Sequence, residues 1–243
     1  IIERYERKGE FGIAAYLCDQ SGLFDRAIDN YLRNKNFGDF ESAHHIAKVS
    51  SPKRTIEICD KAIEYYNKDD YDYNKEHVAE WLERKGEKEE SFKLYVKLIE
   101  EKEKTNFDIM AGNLCVKAKL DDRAIENYGK AGSCGEAIKI AKKIGDNDKV
   151  KQLYDGLIDS WLNGGKYERA LKIATEDNRY DRLEEICEKG LQKCKENNYF
   201  GLLYKILTKT KNSSLIEDGL VWVINHYETE NQWRSDEKEI PNW

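Results

Sequence analysis

The chain is poor in residues that interrupt helices and in patterns that mark chemistry. Of its 243 residues only two are proline, Pro52 and Pro241, and one is methionine, Met110. Proline removes a backbone donor and clashes with the preceding helical turn, so its scarcity leaves almost the whole length open to helix. No stretch of 18 apolar residues exists, so no membrane span is expected. The opening Ile1-Ile-Glu-Arg4 is followed by no apolar run and is no secretory signal. Without an initiator methionine, the chain is expected to be a piece of a longer protein or a processed product.

Catalytic signatures are missing as well. There is no phosphate-binding G-x-x-x-x-G-K-[ST] loop, no G-x-S-x-G elbow and no H-E-x-x-H helix. Carboxylates are plentiful, but no pair stands out from the charged background as a general acid and base, which would need a desolvated niche. His44 and His45 are adjacent, so on a helix they diverge by about 100° and cannot readily share a metal. With His77 and His226 they are expected to be ordinary, partly exposed histidines. Asp70-Tyr-Asp72-Tyr-Asn74 imitates the start of a calcium loop. Lys75 then stands where the turn needs glycine, and Trp81 where a bidentate glutamate belongs. No catalytic residue, metal or cofactor is therefore expected.

Basic excess is absent too. Forty-one basic and 47 acidic residues give a net charge of −6, interleaved as in Lys85-Gly-Glu-Lys-Glu-Glu90. A phosphate-binding surface usually shows a basic stripe, so nucleic acid is not the expected partner, even though helical repeats can read single-stranded RNA. None of the six cysteines forms C-x-x-C. They fall on apolar positions of the helical pattern, which predicts buried free thiols in a reducing, cytoplasmic compartment. Cys187 and Cys194 share a helix face but lie about 10 Å apart along its axis, too far to bridge. Asn212-Ser-Ser214 fits a glycosylation acceptor that the missing secretion signal leaves without a use.

What is present is repetition. Gly22-Leu-Phe-Asp-Arg-Ala-Ile-Asp-Asn-Tyr31 returns 97 residues later as Lys119-Leu-Asp-Asp-Arg-Ala-Ile-Glu-Asn-Tyr128, with Leu17-Cys18 matching Leu114-Cys115 in the same frame. Ala43-His-His-Ile-Ala-Lys48 matches Ala137-Ile-Lys-Ile-Ala-Lys142 at an offset of 94. Self-similarity of this kind means stacked copies of one unit. The unit is a short amphipathic helix, a Gly or polar corner, and another helix. Corners are expected at Gly9, Ser21-Gly22, Gly38, Gly86, Gly132, Gly145 and Gly164-Gly165, where glycine tolerates the left-handed end of a helix. Ser51-Pro52 and Asp146 mark helix starts.

Apolar stripes at helical spacing run through Ala27, Ile28 and Tyr31, through Ile56, Cys59, Ala62, Ile63 and Tyr66, and through Val150, Leu153, Leu157 and Trp161. Strand-like alternation is absent. The expected fold is all-α, with about 13 or 14 helices and no sheet. Trp81 and Trp161 recur at equivalent points, 80 residues apart, and are expected in the core. The shorter offset means that the first copy carries an insert, Asn67 to His77. It is a polar, tyrosine-bearing loop or helix extension, and inserts in repeat arrays often map to the binding face. Tyr71 and Tyr73 are therefore the candidate partner-binding residues, tyrosine being a favoured interface anchor.

Gly165-Lys-Tyr-Glu-Arg-Ala-Leu-Lys-Ile-Ala174 and Gly22 to Tyr31 resemble the second-helix opening of a tetratricopeptide-type repeat, with Asn178-Arg-Tyr-Asp-Arg-Leu183 as a weaker echo. The resemblance covers roughly residues 5 to 195. Repeat lengths are irregular and the proline that ends each repeat is missing, so the chain is similar to the broad class of tetratricopeptide-like helical arrays, including those of coat and transport scaffolds. The resemblance implies a right-handed superhelix of stacked antiparallel helix pairs, an α-solenoid that binds proteins along a concave face. On this reading residues 1–195 form the array, in halves of about 5–103 and 104–195. Residues 196–230 form capping helices and 231–243 a polar tail. The expected function is non-enzymatic, a scaffold for a peptide or partner subunit. The alternative is a structural stalk within a larger coat- or transport-type assembly protein.

Overall fold

The computed structural model describes residues 1–34, 36–68 and 71–236, without the side chains of residues 37 and 229–236. Asp69 and Asp70 of the insert, and residues 237–243 of the expected tail, lie outside the described residues. Among the described residues the protein is helical throughout, 83% of it, with no strand. The chain forms two compact units, Ile1–Ile140 and Ala141–Trp243.

The first unit holds α1 (Ile2–Arg7), α2 (Phe11–Gln20), α3 (Phe24–Asn34), α4 (Phe37–Ser50), α5 (Thr55–Tyr66), α6 (Asp72–Lys85), α7 (Lys88–Lys104), α8 (Asp108–Lys117) and α9 (Asp121–Lys130). The boundary falls within α10 (Cys134–Ile144). The second unit holds α11 (Asn147–Asn163), α12 (Tyr167–Glu176), α13 (Tyr180–Asn197), α14 (Phe200–Leu207) and α15 (Ser213–Asp236). Fifteen α-helices among the described residues slightly exceed the 13 or 14 expected, the surplus being short pieces such as α1. Within each unit a helix packs chiefly on its neighbours in sequence, as α2 on α3, α6 on α7 and α12 on α13 do, the pattern of a helical-pair solenoid.

The corners explain why these helices stop. Gly9, Gly22, Gly86, Gly132, Gly145 and Gly165 all take positive φ, the left-handed conformation that costs glycine little. Gly38 does not; it lies in the first turn of α4. Four more left-handed corners fall at Asn106, Lys119, Asn178 and Asn198. Asn106 and Lys119 stand 97 residues after Gly9 and Gly22, so the second copy makes the same turns without glycine. Asp146 caps α11 as expected, accepting from the Lys149 backbone N–H at 2.9 Å. Pro52 opens a short 3₁₀ turn ahead of α5, and the Ser51 hydroxyl donates to Asp25 instead of capping.

The repeat is also electrostatic. Glu6 accepts from Arg26 Nε (2.9 Å) and Nη2 (2.7 Å) and from Asn30 Nδ2 (2.8 Å), which in turn faces Cys18 Sγ. Glu103, 97 residues on, accepts from Arg123 at 2.9 and 2.6 Å and from Asn127 at 2.8 Å, beside Cys115. The repetition thus begins earlier than Leu17, at a carboxylate on the preceding helix.

A second node recurs across the two units. Arg54 donates to Asp29 and Glu57, and Lys61 to Glu57. Arg182 likewise donates to Asp159 and Glu185, and Lys189 to Glu185. Glu57-Ile-Cys-Asp-Lys61 and Glu185-Ile-Cys-Glu-Lys189 carry this likeness in the sequence.

Core positions follow the predicted periodicity with phase changes. Ile58, Cys59, Ala62 and Tyr66 are buried in α5, whereas Ile56 faces outward. In α11 the buried stripe is Tyr154, Ile158 and Leu162, one residue on from the predicted one, and Trp161 is only half-buried at the core edge. Trp81 is buried with Leu82 beside it, while in the second copy Leu162 takes the inner place from Trp161. Helix packing decides which of two adjacent large residues turns inward, and the repeat pattern leaves that open.

Five cysteines are buried and Cys134 is half-buried, all with free thiols. Burial pushes the Cys187 thiol up to about 12 and Cys194 to about 11, so both stay protonated and unreactive.

Gly112 marks a close approach. A Cβ there would sit 2.9 Å from the Tyr128 ring, whose hydroxyl is tied to Asn113 Oδ1. The equivalent residue of the first copy is Ala15. Gly112→Ala is nevertheless expected to destabilise the protein by about 1–2 kcal/mol through overpacking, measured by urea unfolding. Unchanged stability would mean that the ring can swing aside.

Candidate partner-binding groove

The α6–α7–α8 layer carries the insert and the features most suited to a contact. Leu82 and Glu83 carbonyls close the end of α6 at Gly86, turning the chain back so that α7 runs along it. α8 then packs on α7. Between α6 and α8, over α7, lies a cavity of about 190 Å³. Its lining includes Tyr73 and Glu76 from α6, Leu98 and Lys102 from α7, and Met110 and Leu114 from α8.

Tyr73 is the sequence candidate that the structure brings into this groove. It stands in the first turn of α6, 63% exposed, with its ring edge-on to His77 at 4.4 Å between centroids. His77 in turn lies 4.9 Å from the Tyr66 ring, and Tyr66 contacts Phe40. An exposed tyrosine mounted on a buried ring stack is held in place before anything binds, which lowers the ordering cost of a contact. Tyr71 is exposed just ahead of α6 in extended backbone and does not line the cavity. The second half of the insert is therefore the start of a helix.

The expectation that the histidines are partly exposed fails at two of them. His44 and His77 are only 5% and 7% exposed. His44 packs edge-on against Trp81 at 5.4 Å, and burial, with Lys48 and Arg84 nearby, lowers its pKa, so the ring stays neutral. His77 Nδ1 lies 3.3 Å from Glu80. Both sit on inward positions of their helices, and a lone histidine does not reveal its helix face in sequence.

Ion pairs fix the groove walls. Lys102 donates to Asp72 at 2.6 Å, joining α7 to the first turn of α6, where a carboxylate also suits the helix dipole. Lys117 reaches from α8 to Glu76 and Glu80 on α6. Burial works against the Lys117 charge, but these two bonds outweigh it and hold its pKa above the ordinary lysine value. Lys117 also lines a second hollow of about 310 Å³, with Phe92, Tyr95 and Lys119.

Met110, 52% exposed and part of the same lining as Tyr73, was not singled out by sequence. A signal for it exists: Ile13 is its equivalent 97 residues earlier and is also exposed, so both copies keep an apolar side chain at an outward position. Lys102 and Lys117 had no such signal, since their partners are 30 to 41 residues away.

Among the described residues no cluster of three or more His, Cys, Asp or Glu side chains could hold a metal, and no helix is long and apolar enough to cross a membrane.

No protein-family model and no curated protein sequence matches the chain. Solved structures similar to it include BtubC (BKLC) from P. vanneervenii, at 10% identity over 100% of this chain and 95% of that one, with a TM-score of 0.27. Another is a putative kinesin light chain from Podosopora anserina with nearly identical TPR-like repeats, at 9% identity over 96% and 98% of the two chains, with a TM-score of 0.19. Tetratricopeptide-like repeat proteins are thus among its neighbours, but superpositions this loose transfer no function to it.

Proposed function

We propose that this chain is a non-enzymatic scaffold that binds a peptide or partner subunit in the α6–α8 groove. The observation that carries the reading is Tyr73, exposed at the groove wall yet braced on His77, with Met110 across from it. A tyrosine and a polarisable thioether offer contact area to a side chain or short helix, while the Lys102–Asp72 and Lys117–Glu76 pairs keep the walls in place. Tyr71 extends the surface beyond the groove. The free thiols favour a reducing, cytoplasmic setting.

The test is a quantitative pull-down with the purified chain as bait, followed by titration of any stoichiometric protein partner. Tyr73→Ala is expected to weaken that partner about tenfold or more and Tyr71→Ala less, with helicity unchanged. Full affinity in the double variant would remove the groove from the interface.

A further inference from the structure

The last helix of the second unit presents a binding face of its own. The inward side of α15 is firmly seated: Trp222 stacks on His226 at 5.4 Å and lies 5.2 Å from Phe200, and Leu215 and Val223 pack on the core. Gly219 lets the helix come close, since a Cβ there would lie 2.8 Å from Leu207. The opposite side is apolar as well. Leu220, Val221, Ile224 and Tyr227 are 49–67% exposed. At about 100° per residue they fall within one half of the helix, around a line through Glu217, Val221, Ile224 and Glu228.

An amphipathic helix at a protein surface normally turns such a stripe inward, so a second exposed stripe on an otherwise anchored helix marks a contact surface. Its charge selects the occupant. Glu217 and Glu228 bracket the stripe, about 16 Å apart along the axis, and among the described residues neither has an ion-pair partner. Asp218, also exposed on this helix, is bound to Lys195 at 2.6 Å and lies to one side. A second copy of this helix would set glutamate against glutamate in either orientation, and an anionic membrane would meet the same repulsion.

We infer that the outward face of α15 docks an amphipathic helix of a protein partner, with apolar side chains over Val221 and Ile224 and a lysine or arginine meeting each of Glu217 and Glu228. This face is made of other residues than the α6–α8 groove, and the inference stands without that groove.

The probe is a fluorescein-labelled synthetic helical peptide carrying leucines on one face and lysines about 11 residues apart, beside a twin with glutamates in their place, titrated by anisotropy against the full chain. The lysine peptide is expected to bind about tenfold tighter than its twin, more so at low salt. Glu217→Lys/Glu228→Lys should reverse that preference. Val221→Ser/Ile224→Ser should weaken the lysine peptide about tenfold with helicity and Tm unchanged, and Tyr71→Ala/Tyr73→Ala should leave it untouched. Equal affinity for the two peptides, no saturable binding, or loss on changing Tyr71 and Tyr73 alone would each overturn the inference. So would a concentration-dependent dimer abolished by Ile224→Ser, or stripe-dependent binding to phosphatidylserine vesicles, either of which would assign the face to another occupant.

Discussion

Trp81→Ala is expected to destabilise the first unit by about 3–5 kcal/mol, the largest loss from any single change considered for this protein. The indole is almost wholly buried, in a core cluster that also holds Phe40, Cys59 and Val78. It meets Phe40 and His44 edge-on, at 6.4 and 5.4 Å, and the Arg84 guanidinium covers its face at 4.4 Å. Arg84 also reaches Glu41 on α4 at 2.6 Å, so deleting the ring loosens a link between α4 and α6 as well as leaving a cavity. Because the chain has two units, urea unfolding followed by circular dichroism should show one early transition with the second left in place. Trp161→Ala, at the edge of the other core, should cost clearly less, since the half-buried indole has less surface to lose. Equal losses at the two tryptophans would contradict the phase difference between the copies.

The second large effect is expected at Glu103. Glu103→Gln keeps the volume but turns a charged, doubly engaged acceptor into a neutral amide, leaving the Arg123 guanidinium and the Asn127 amide with a weaker partner. A loss of about 2 kcal/mol is expected at neutral pH. The loss should shrink on acidification. Hydrogen bonds from Arg123, reinforced by Asn127, outweigh burial and hold the Glu103 carboxyl below its ordinary value. In the first copy, bonds from Arg26 and Asn30 bring Glu6 down to about 2 from 4.5.

Both carboxylates are thus stronger acids folded than unfolded. Below the unfolded pKa the unfolded chain takes up protons that the folded one still refuses. Their stabilisation is present above about pH 4.5 and is lost as the pH falls through each lowered folded value, which for Glu6 is about 2. Unfolding measured from pH 7 down to pH 3 should show a shallower acid slope in Glu103→Gln than in the parent. A slope unchanged by the substitution would mean that the carboxylate is free in solution.

The contrast between Glu103 and Tyr73 shows where the sequence was legible. Tyr73 was visible because it lies in an insert that breaks the repeat, and the break itself is a local signal. The Glu103 node was hard to see although it is duplicated: Ile2-Glu-Arg-Tyr-Glu6 and Ile99-Glu-Glu-Lys-Glu103 share one isoleucine and two glutamates, a short match that carries little weight in a chain with 47 acidic residues. The same holds for the Glu57-Ile-Cys-Asp-Lys61 and Glu185-Ile-Cys-Glu-Lys189 pair, a short match that becomes meaningful once both segments are seen to organise the same Arg–Asp contacts.

By itself the sequence determined the class of fold. Helical spacing, two prolines and an internal repeat leave little but stacked helix pairs, because each amphipathic helix must bury its stripe against a neighbour and the nearest one is next in the chain. It also determined most corners, since glycine is the residue that takes a left-handed turn at least cost. Only the tertiary structure decided which of two adjacent large side chains turns inward, as at Trp161 and Leu162, and which histidines are buried. It alone joined Lys117 to Glu76 and Glu80 and left the outer stripe of α15 uncovered. These outcomes depend on how a helix is rotated against its neighbours, a rotation that periodicity constrains only to within about one residue, whereas packing and paired charges select one.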